Sequence, residues 1–486
     1  MHINLRHIFK GQLLRNSFWT FSDLVLYPLL MIGATPLFIN QLGAEQYGLW
    51  MMLTVVVQLM NALNFGVGDS TIKYTSAGLA LNQQKNIAEI VNRNVSLGIL
   101  LTLITTLLGV CAAYFIEQFE LLAIRKADYT ITVQVLVLFS LSAGLKFIEQ
   151  VFLSVLKGYQ RFDIAARLSM SSRVSVLLAS AAVVSWGFGL LEIALVTVGC
   201  NIFNLFIQVL ILRQRISGLN LFPRFRFNSA QEIFQQNGWY WLQSVIALIG
   251  FLSDRIIIGF YIDMATVGYY SIAALVGTQI HNVLLAFGSF VFPKVSARIS
   301  QQKNIEQVYY VSRMAIAGLG WGIITCLMFG GSIIFKWWLG DAVFEASYPL
   351  IRLYLSFEAI ILLIVIPYHF INGSQHLKLN SLFEFILRSS HVVFMFLFYP
   401  LYGLEGIVWA LILTTAVNIP FQYYFFHKHI LHQTGWRDAL LTVLPAFLLT
   451  ASFLLTHVYL QVGFLAGVVI VFKFVYWNKA LKAFSS

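Results

Sequence analysis

Along the chain, apolar residues collect in runs of roughly 20, the length that carries an α-helix across the hydrocarbon of a bilayer, and short polar breaks separate them. The first six runs lie near 18–40, 45–65, 94–116, 131–156, 170–190 and 193–212. Six more cover about 239–262, 267–292, 313–335, 348–371, 381–401 and 404–426, and two follow near 439–459 and 462–478, the last interrupted by Lys473. The pattern predicts an all-α, polytopic membrane protein with about 14 transmembrane helices. No break exceeds about thirty residues, which leaves no room for a soluble domain.

The breaks also repeat. "AEQYGLW" (44–50) opens the second predicted helix and "ATVGYYS" (265–271) the eighth. "KGYQRFD" (157–163) and "NGSQHLK" (372–378) follow the fourth and tenth. "WGFGLLEIA" (186–194) joins the fifth to the sixth, and "YGLEGIVWA" (402–410) the eleventh to the twelfth. The glycine pairs Gly48/Gly268, Gly158/Gly373 and Gly187/Gly403 are offset by nearly the same distance. An even number of helices preserves orientation, so the reading is two parallel six-helix repeats plus two C-terminal helices. The corresponding divisions are 1–215, 216–430 and 431–486. Two facing bundles enclose a cavity, which is a transporter plan.

Composition agrees with the pattern. Hydrophobic residues make up 59%, charged residues only 10%, and mean hydropathy is +0.79; a soluble domain carries about 25% charged residues. The net charge of +11 would otherwise suggest nucleic acid. Placed on the predicted spans, however, 25 of the 31 Lys and Arg fall on the face that holds both termini, whereas the opposite loops hold only Arg125, Lys126 and Lys336. Cytoplasmic loops accumulate Lys and Arg, so both termini are expected in the cytoplasm and no nucleic-acid partner is required. The basic, then apolar start of the chain lacks a small-residue cleavage pattern and reads as a retained first helix.

The candidate chemistry lies in the ionisable residues inside the spans, which face a bundle interior or a water cavity and are functional candidates by default. They include Asp23, Lys146, Glu149, Asp254, Arg255, Arg352, Glu358, Glu384 and Arg388. Lys146–Glu149 and Glu384–Arg388 have the spacing to neutralise themselves on one helical face. Asp254 and Arg255 point about 100° apart and do not close a local pair so easily. A guanidinium matches phosphate oxygens with two parallel hydrogen bonds. A cavity holding Arg255 and Lys146 therefore suits an anionic headgroup, with Lys73 and Lys294 at corresponding cytoplasmic mouths. Asp23, Glu149, Asp254 and Glu358 either balance those cations or bind a coupling H⁺ or Na⁺.

Other polar residues read more plainly. His281, His369 and His391 are expected as packed, hydrogen-bonded side chains, and "HKHILHQ" (427–433) as a cytoplasmic loop that forms part of a basic, inside-facing rim. Cys111, Cys200 and Cys326 lack metal or redox spacing and read as small buried thiols. Trp239, Tyr240, Trp241, Trp337 and Trp338 fit interfacial belts, with stacking on sugar rings as the alternative. No GxxxxGK[ST] phosphate loop occurs, so this chain carries no such ATPase site.

Three segments resemble a known group. Residues 17–76, from "SFWTFSDLVLYPLL" to "GVGDSTIKYTS", are similar to the opening hairpin of bacterial polysaccharide and O-antigen flippases. "LSDRIIIGFYIDMATVGYYSIA" (252–273) resembles their seventh-to-eighth hairpin, and "LKGYQRFD" (156–163) their fourth-helix exit. These belong to the multidrug/oligosaccharidyl-lipid/polysaccharide exporter superfamily. The resemblance implies two pseudo-symmetric bundles forming a V-shaped cavity. It also implies ATP-independent, cofactor-free transfer of an undecaprenyl-pyrophosphate-linked oligosaccharide from the cytoplasmic to the periplasmic leaflet of the bacterial inner membrane. A polysaccharide polymerase and a chain-length regulator are the partners such a pathway implies. The cavity role carries over to Arg255 and, less directly, to Lys146 and Asp23. An acidic Asp23 departs from the cationic first helix of lipid II flippases. An ion-coupled multidrug antiporter of the same superfamily would have an acid-dominated cavity, whereas cations and acids are mixed here. A membrane glycosyltransferase or polymerase would need a long catalytic loop, which is absent.

Overall fold

The computed structural model describes residues 5–61, 67–81, 84–119, 129–215, 252–289, 305–373 and 377–431, with a few isolated positions elsewhere. Side chains of the first helix are described from Leu26 onward. All of the elements are helices: α1 (Leu5–Asn61), α2 (Val67–Ala80), α3 (Gln84–Gln118), α4 (Tyr129–Gly158), α5 (Phe162–Ser185) and α6 (Leu190–Arg215) come first. The described part of α7 covers 252–261. It is followed by α8 (Met264–Ser289), α9 (Glu306–Leu339), α10 (Asp341–Gly373) and α11 (Leu377–His429). Among the described residues, seven helices are long and apolar enough to cross a membrane. The protein is a multi-pass membrane protein.

Two helices are too long for one crossing, and glycine explains both. At 57 and 53 residues, α1 and α11 far exceed the roughly 20 residues that a span needs. Each is two helices joined at a glycine with non-helical backbone, Gly43 (φ 78°, ψ 161°) and Gly403 (φ 59°, ψ −140°). Conformations like that of Gly43 are almost confined to glycine. The breaks fall between the predicted runs 18–40 and 45–65, and between 381–401 and 404–426. Gly187 (φ 83°) and Gly340 (φ 78°) turn the chain between α5 and α6 and between α9 and α10. Of the glycines paired by the repeat, Gly158 and Gly373 end α4 and α10, and Gly187 and Gly403 both lie in the left-handed region.

The chain forms two compact units, Met1–Gly268 and Tyr269–Ser486. Within the first, α3 packs along α4, α5 lies on α1, and α6 closes on α4 and α5. Lipid offers no hydrophobic drive for helices to associate, so small residues and side-chain hydrogen bonds supply the contacts. Gly144 of α4 meets Thr102 of α3, whose hydroxyl donates to the Gly144 carbonyl at 2.8 Å. Asn94 Nδ2 donates to Thr71 Oγ1 at 2.7 Å, and Asn201 Nδ2 to Ser142 Oγ at 2.6 Å. The second half of α1 crosses the start of α8 at Gly48 and Gly268, the pair that the sequence places at the starts of the second and eighth predicted helices. A Cβ on Gly48 would fall on the Met264 carbonyl oxygen.

In the second unit α10 is central, packed by both α9 and α11. Of its most apolar stretch 83% is buried, against 28–50% for the other spans. Outward faces are correspondingly apolar, with Leu103, Leu107 and Phe115 exposed on α3 and Phe203 and Phe206 on α6. This is a lipid-facing girdle, and Trp186 and Trp337 stand exposed beside the Gly187 and Gly340 turns, as an aromatic belt requires.

Two expectations are corrected. Cys111 and Cys326 are exposed and Cys200 is half-buried; a thiol has no reason to hide from lipid tails as apolar as itself. "HKHILHQ" does not begin a loop: α11 runs on through His429, and His427 is buried against Tyr309, Tyr423 and Phe426. Trp239, Tyr240 and Trp241 lie outside the described residues.

Candidate functional site

One stripe of α4 carries most of the candidate site. Lys146, Glu149, Gln150, Leu153, Ser154 and Lys157 recur at three- and four-residue spacing, which places them on a single helical face. With Gly68 and Ile72 of α2 and Ser169 and Arg173 of α5, this face lines a cavity of about 270 Å³. That is close to the lower end of the roughly 300–1,000 Å³ typical of ligand pockets. Three cations and one acid face it. Gly68 makes the space possible, because a Cβ there would come within 2.7 Å of the Gln150 amide.

Three of the four charges are held in place. Lys146 Nζ lies 2.6 Å from Glu149 Oε2 and donates to Ser172 Oγ at 2.9 Å. Glu149 is buried, whereas the Lys146 side chain keeps about a third of its surface open. Arg173 donates to Ser169 Oγ at 3.1 Å, one helical turn back, and its guanidinium rests on the Tyr27 ring of α1, 5.4 Å from the centroid. A cation over an aromatic face is attracted to it without consuming its hydrogen-bond donors. Arg161 and Arg167 differ in this respect: both bind the buried Asp163, each at 3.3 Å, and so fasten the start of α5. The cavity can therefore receive an anion on a fixed fork of donors, competing with Glu149 for Lys146.

The local pair expected between Lys146 and Glu149 is formed, and so is Glu384–Arg388 at 3.2 Å. Lys157 and Arg173 were not among the sequence candidates. Lys157 continues the α4 stripe by whole turns from Lys146, and Arg173 follows Ser169 by one turn; that periodicity was the available signal.

The remaining candidates lie elsewhere. Arg255 does not line this cavity; half-buried on α7, its guanidinium acts on the hydroxyl of buried Tyr47, which also faces Thr35. Its neighbour Asp254 is buried, and its Oδ1 accepts the Arg255 backbone amide at 2.7 Å. Lys73 is exposed on α2, over the ring of Tyr74 at 5.7 Å. Asp23 belongs to α1, but its side chain lies outside the described residues, as does all of Lys294. Glu358 is buried in the second unit, opposite His281. His369 and His391 are packed and bonded as expected, to the Leu285 carbonyl at 3.3 Å and to Thr415 Oγ1 at 3.1 Å. Among the described residues no group of His, Cys, Asp and Glu could hold a metal ion.

The sequence matches the family model described as polysaccharide biosynthesis protein over residues 13–300, more than half of the chain. The chain belongs to this family. No curated protein matches it. Its fold is that of the MOP superfamily transporters. The lipid II flippase MurJ in an inward closed conformation is 15% identical, with a TM-score of 0.67 over 96% of this chain and 97% of that one. An inward-facing multidrug resistance MATE family transporter gives 15% identity and a TM-score of 0.66 over 85% and 98%. A MOP superfamily transporter from Pyrococcus furiosus, with a binding pocket of reversed polarity, gives 12% and 0.60 over 87% and 97%. These neighbours are two transporters and a flippase.

Proposed function

We propose that this protein is a flippase that moves an undecaprenyl-pyrophosphate-linked oligosaccharide, an O-antigen or related surface-polysaccharide unit, from the cytoplasmic to the periplasmic leaflet of a bacterial inner membrane. The cavity bearing Lys146, Lys157 and Arg173 carries the reading. A diphosphate needs several fixed donors and positive charge, and both are supplied here by a guanidinium and two ammonium groups. The family match and the likeness to a lipid II flippase support a lipid-linked substrate.

In this reading the two six-helix repeats alternate access to the two leaflets, with both termini in the cytoplasm. Lys73 and Lys294 capture the headgroup at the cytoplasmic mouth, and Arg255 handles it deeper in the passage. Asp23 and Asp254 balance charge. Polymerase and chain-length regulator act on the delivered unit. The likeness to MATE transporters favours a second reading, an ion-coupled multidrug antiporter.

Binding separates the two. Lipid-linked diphosphate should bind the purified protein, and Arg173→Ala should weaken it about tenfold or more, since a hydrogen bond to a charged group contributes roughly 1.5–3 kcal/mol and 1.4 kcal/mol is tenfold. Equal binding by wild type and Arg173→Ala, or tight binding of a cationic dye to this cavity, would overturn the flippase reading.

A further inference from the structure

Within the first unit, a line of amides runs down the face of α6 that meets α4 and α5: Asn201, Asn204 and Gln208. Asn201 donates to Ser142 Oγ of α4 at 2.6 Å, and Asn204 to Ser175 Oγ of α5 at 3.0 Å. Gln208 is 1% exposed, and neither its Nε2 nor its Oε1 has a hydrogen-bond partner among the described residues. Its position follows from its neighbours. The short turns on either side of α5 set α4 and α6 parallel, with α5 antiparallel to both. The step from Ser142 to Glu149 on α4 therefore matches the step from Asn201 to Gln208 on α6, close to two turns on each. On α5, the turn from Ser175 back to Ser172 descends alongside, and Ser172 accepts from Lys146 at 2.9 Å. Leu205, Val209 and Leu212 of α6 pack into one apolar cluster with Phe147, Val151 and Val155 of α4, so the helices stay in contact at this depth. Gln208 thus stands at the level of the Lys146–Glu149 pair in the cavity wall.

A buried polar group without a partner costs free energy that an apolar side chain of the same shape does not. A resting state that keeps such an amide points to another state that uses it. Glu149 supplies that use. It is buried, and Lys146 is its hydrogen-bonding partner among the described residues, at 2.6 Å. Lys146 keeps about a third of its side-chain surface open, so an anion in the cavity draws its ammonium away and strands the carboxylate. Removing one partner of a buried ion pair is strongly destabilising. We infer that Gln208 is a positioning residue that takes over Glu149 when an anion engages Lys146. Its Nε2 donates to the vacated carboxylate oxygen, and no covalent bond changes. The inference rests on the diphosphate reading of the cavity and names the residue that frees Lys146 for its ligand. Glutamine suits the task because its amide carries two donors and no charge, so it supports the carboxylate without drawing the anion onto itself as a further cation would.

The test is equilibrium binding of inorganic diphosphate and of undecaprenyl diphosphate to the full-length protein in lipid nanodiscs, with thermal unfolding of the ligand-free protein alongside. Gln208→Met keeps the length of the side chain and removes the amide. Ligand-free, this variant should melt with or above wild type, because an unbonded amide has been replaced by an apolar group. Its affinity for inorganic diphosphate should fall about tenfold or more, the share of a hydrogen bond to a charged group. In a Glu149→Gln background the same replacement should change affinity by less than about twofold, since no carboxylate is left to strand. A Gln208→Met protein that melts below wild type, or that fails to fold along with Gln208→Leu, overturns the inference by assigning the amide to the resting structure. Unchanged affinity in Gln208→Met overturns it while leaving the flippase reading intact, and an equal loss with and without Glu149 overturns the link to that acid. If inorganic diphosphate binds with this dependence on Gln208 but undecaprenyl diphosphate does not bind wild type, the exchange stands and the lipid-linked reading falls; binding of neither overturns both.

Discussion

The crossing of α1 and α8 offers a perturbation whose size follows from the coordinates. At Gly48 an added Cβ would coincide with the Met264 carbonyl oxygen and lie 2.9 Å from the Gly268 nitrogen; at Gly268 it would lie 2.8 Å from the Ala44 carbonyl oxygen. Ordinary contact begins near 3.5 Å, so Gly268→Ala forces the helices apart by about 0.7 Å, and Gly48→Ala forces them further. The obstructing atoms are backbone, which cannot rotate away. Overpacking of this kind costs about 1–3 kcal/mol, and Gly48→Ala belongs at the upper end. Replacing glycine within a helix returns about 0.8–1.0 kcal/mol, leaving a net loss of about 1–2 kcal/mol for Gly48→Ala. Gly33→Ala and Gly322→Ala are the controls, because a Cβ at either meets nothing within 4 Å; both should be neutral or slightly stabilising. Thermal unfolding of the purified variants, followed by tryptophan fluorescence, should rank Gly48→Ala below Gly268→Ala and both below the controls. A Gly48→Ala protein that melts with or above the controls would refute the close crossing.

Further outcomes follow from other contacts. Glu149→Gln removes the acid that pairs with Lys146 at 2.6 Å and should tighten lipid-diphosphate binding several-fold in an equilibrium assay; weaker binding would mean that Glu149 positions Lys146 rather than competing for it. Gly340→Ala places a side chain at φ 78°, ψ 164° and should cost about 1–3 kcal/mol, seen as a lowered melting temperature, whereas an unchanged one would deny the tight turn. Thr102→Val removes the hydroxyl that bridges α3 and α4 and should cost about 0.6 kcal/mol, the average for such bonds in membranes, in the same melting assay; a loss of several kcal/mol would assign Thr102 a larger role.

Seven of the crossings were legible because hydrophobic length is a direct consequence of bilayer thickness, and Gly187 and Gly403, paired in the sequence, marked turns that other residues adopt only with strain. The pairing of Lys146 with Glu149 was legible too, since it needs only helical spacing. Lys157 and Arg173 were not, because each counts as one more cytoplasmic cation until α5 is laid against α4. Nor was the His281–Glu358 contact: a buried acid on α10 advertises that it needs a partner, but nothing in linear spacing names one on α8. Burial of the cysteines was misjudged by applying the habits of water-soluble cores to a chain bathed in lipid. His427 was misplaced because two histidines and a lysine look like a loop, although the helix beneath them continues.

The most direct trial of the cationic cavity is a leaflet-accessibility measurement. Proteoliposomes containing the wild type should expose lipid-linked oligosaccharide to an external probe with time, and Lys146→Ala/Arg173→Ala vesicles with equally folded protein should be about tenfold slower or more when the substrate is subsaturating, where the rate follows the weakened binding. Equal rates in the two would contradict the account.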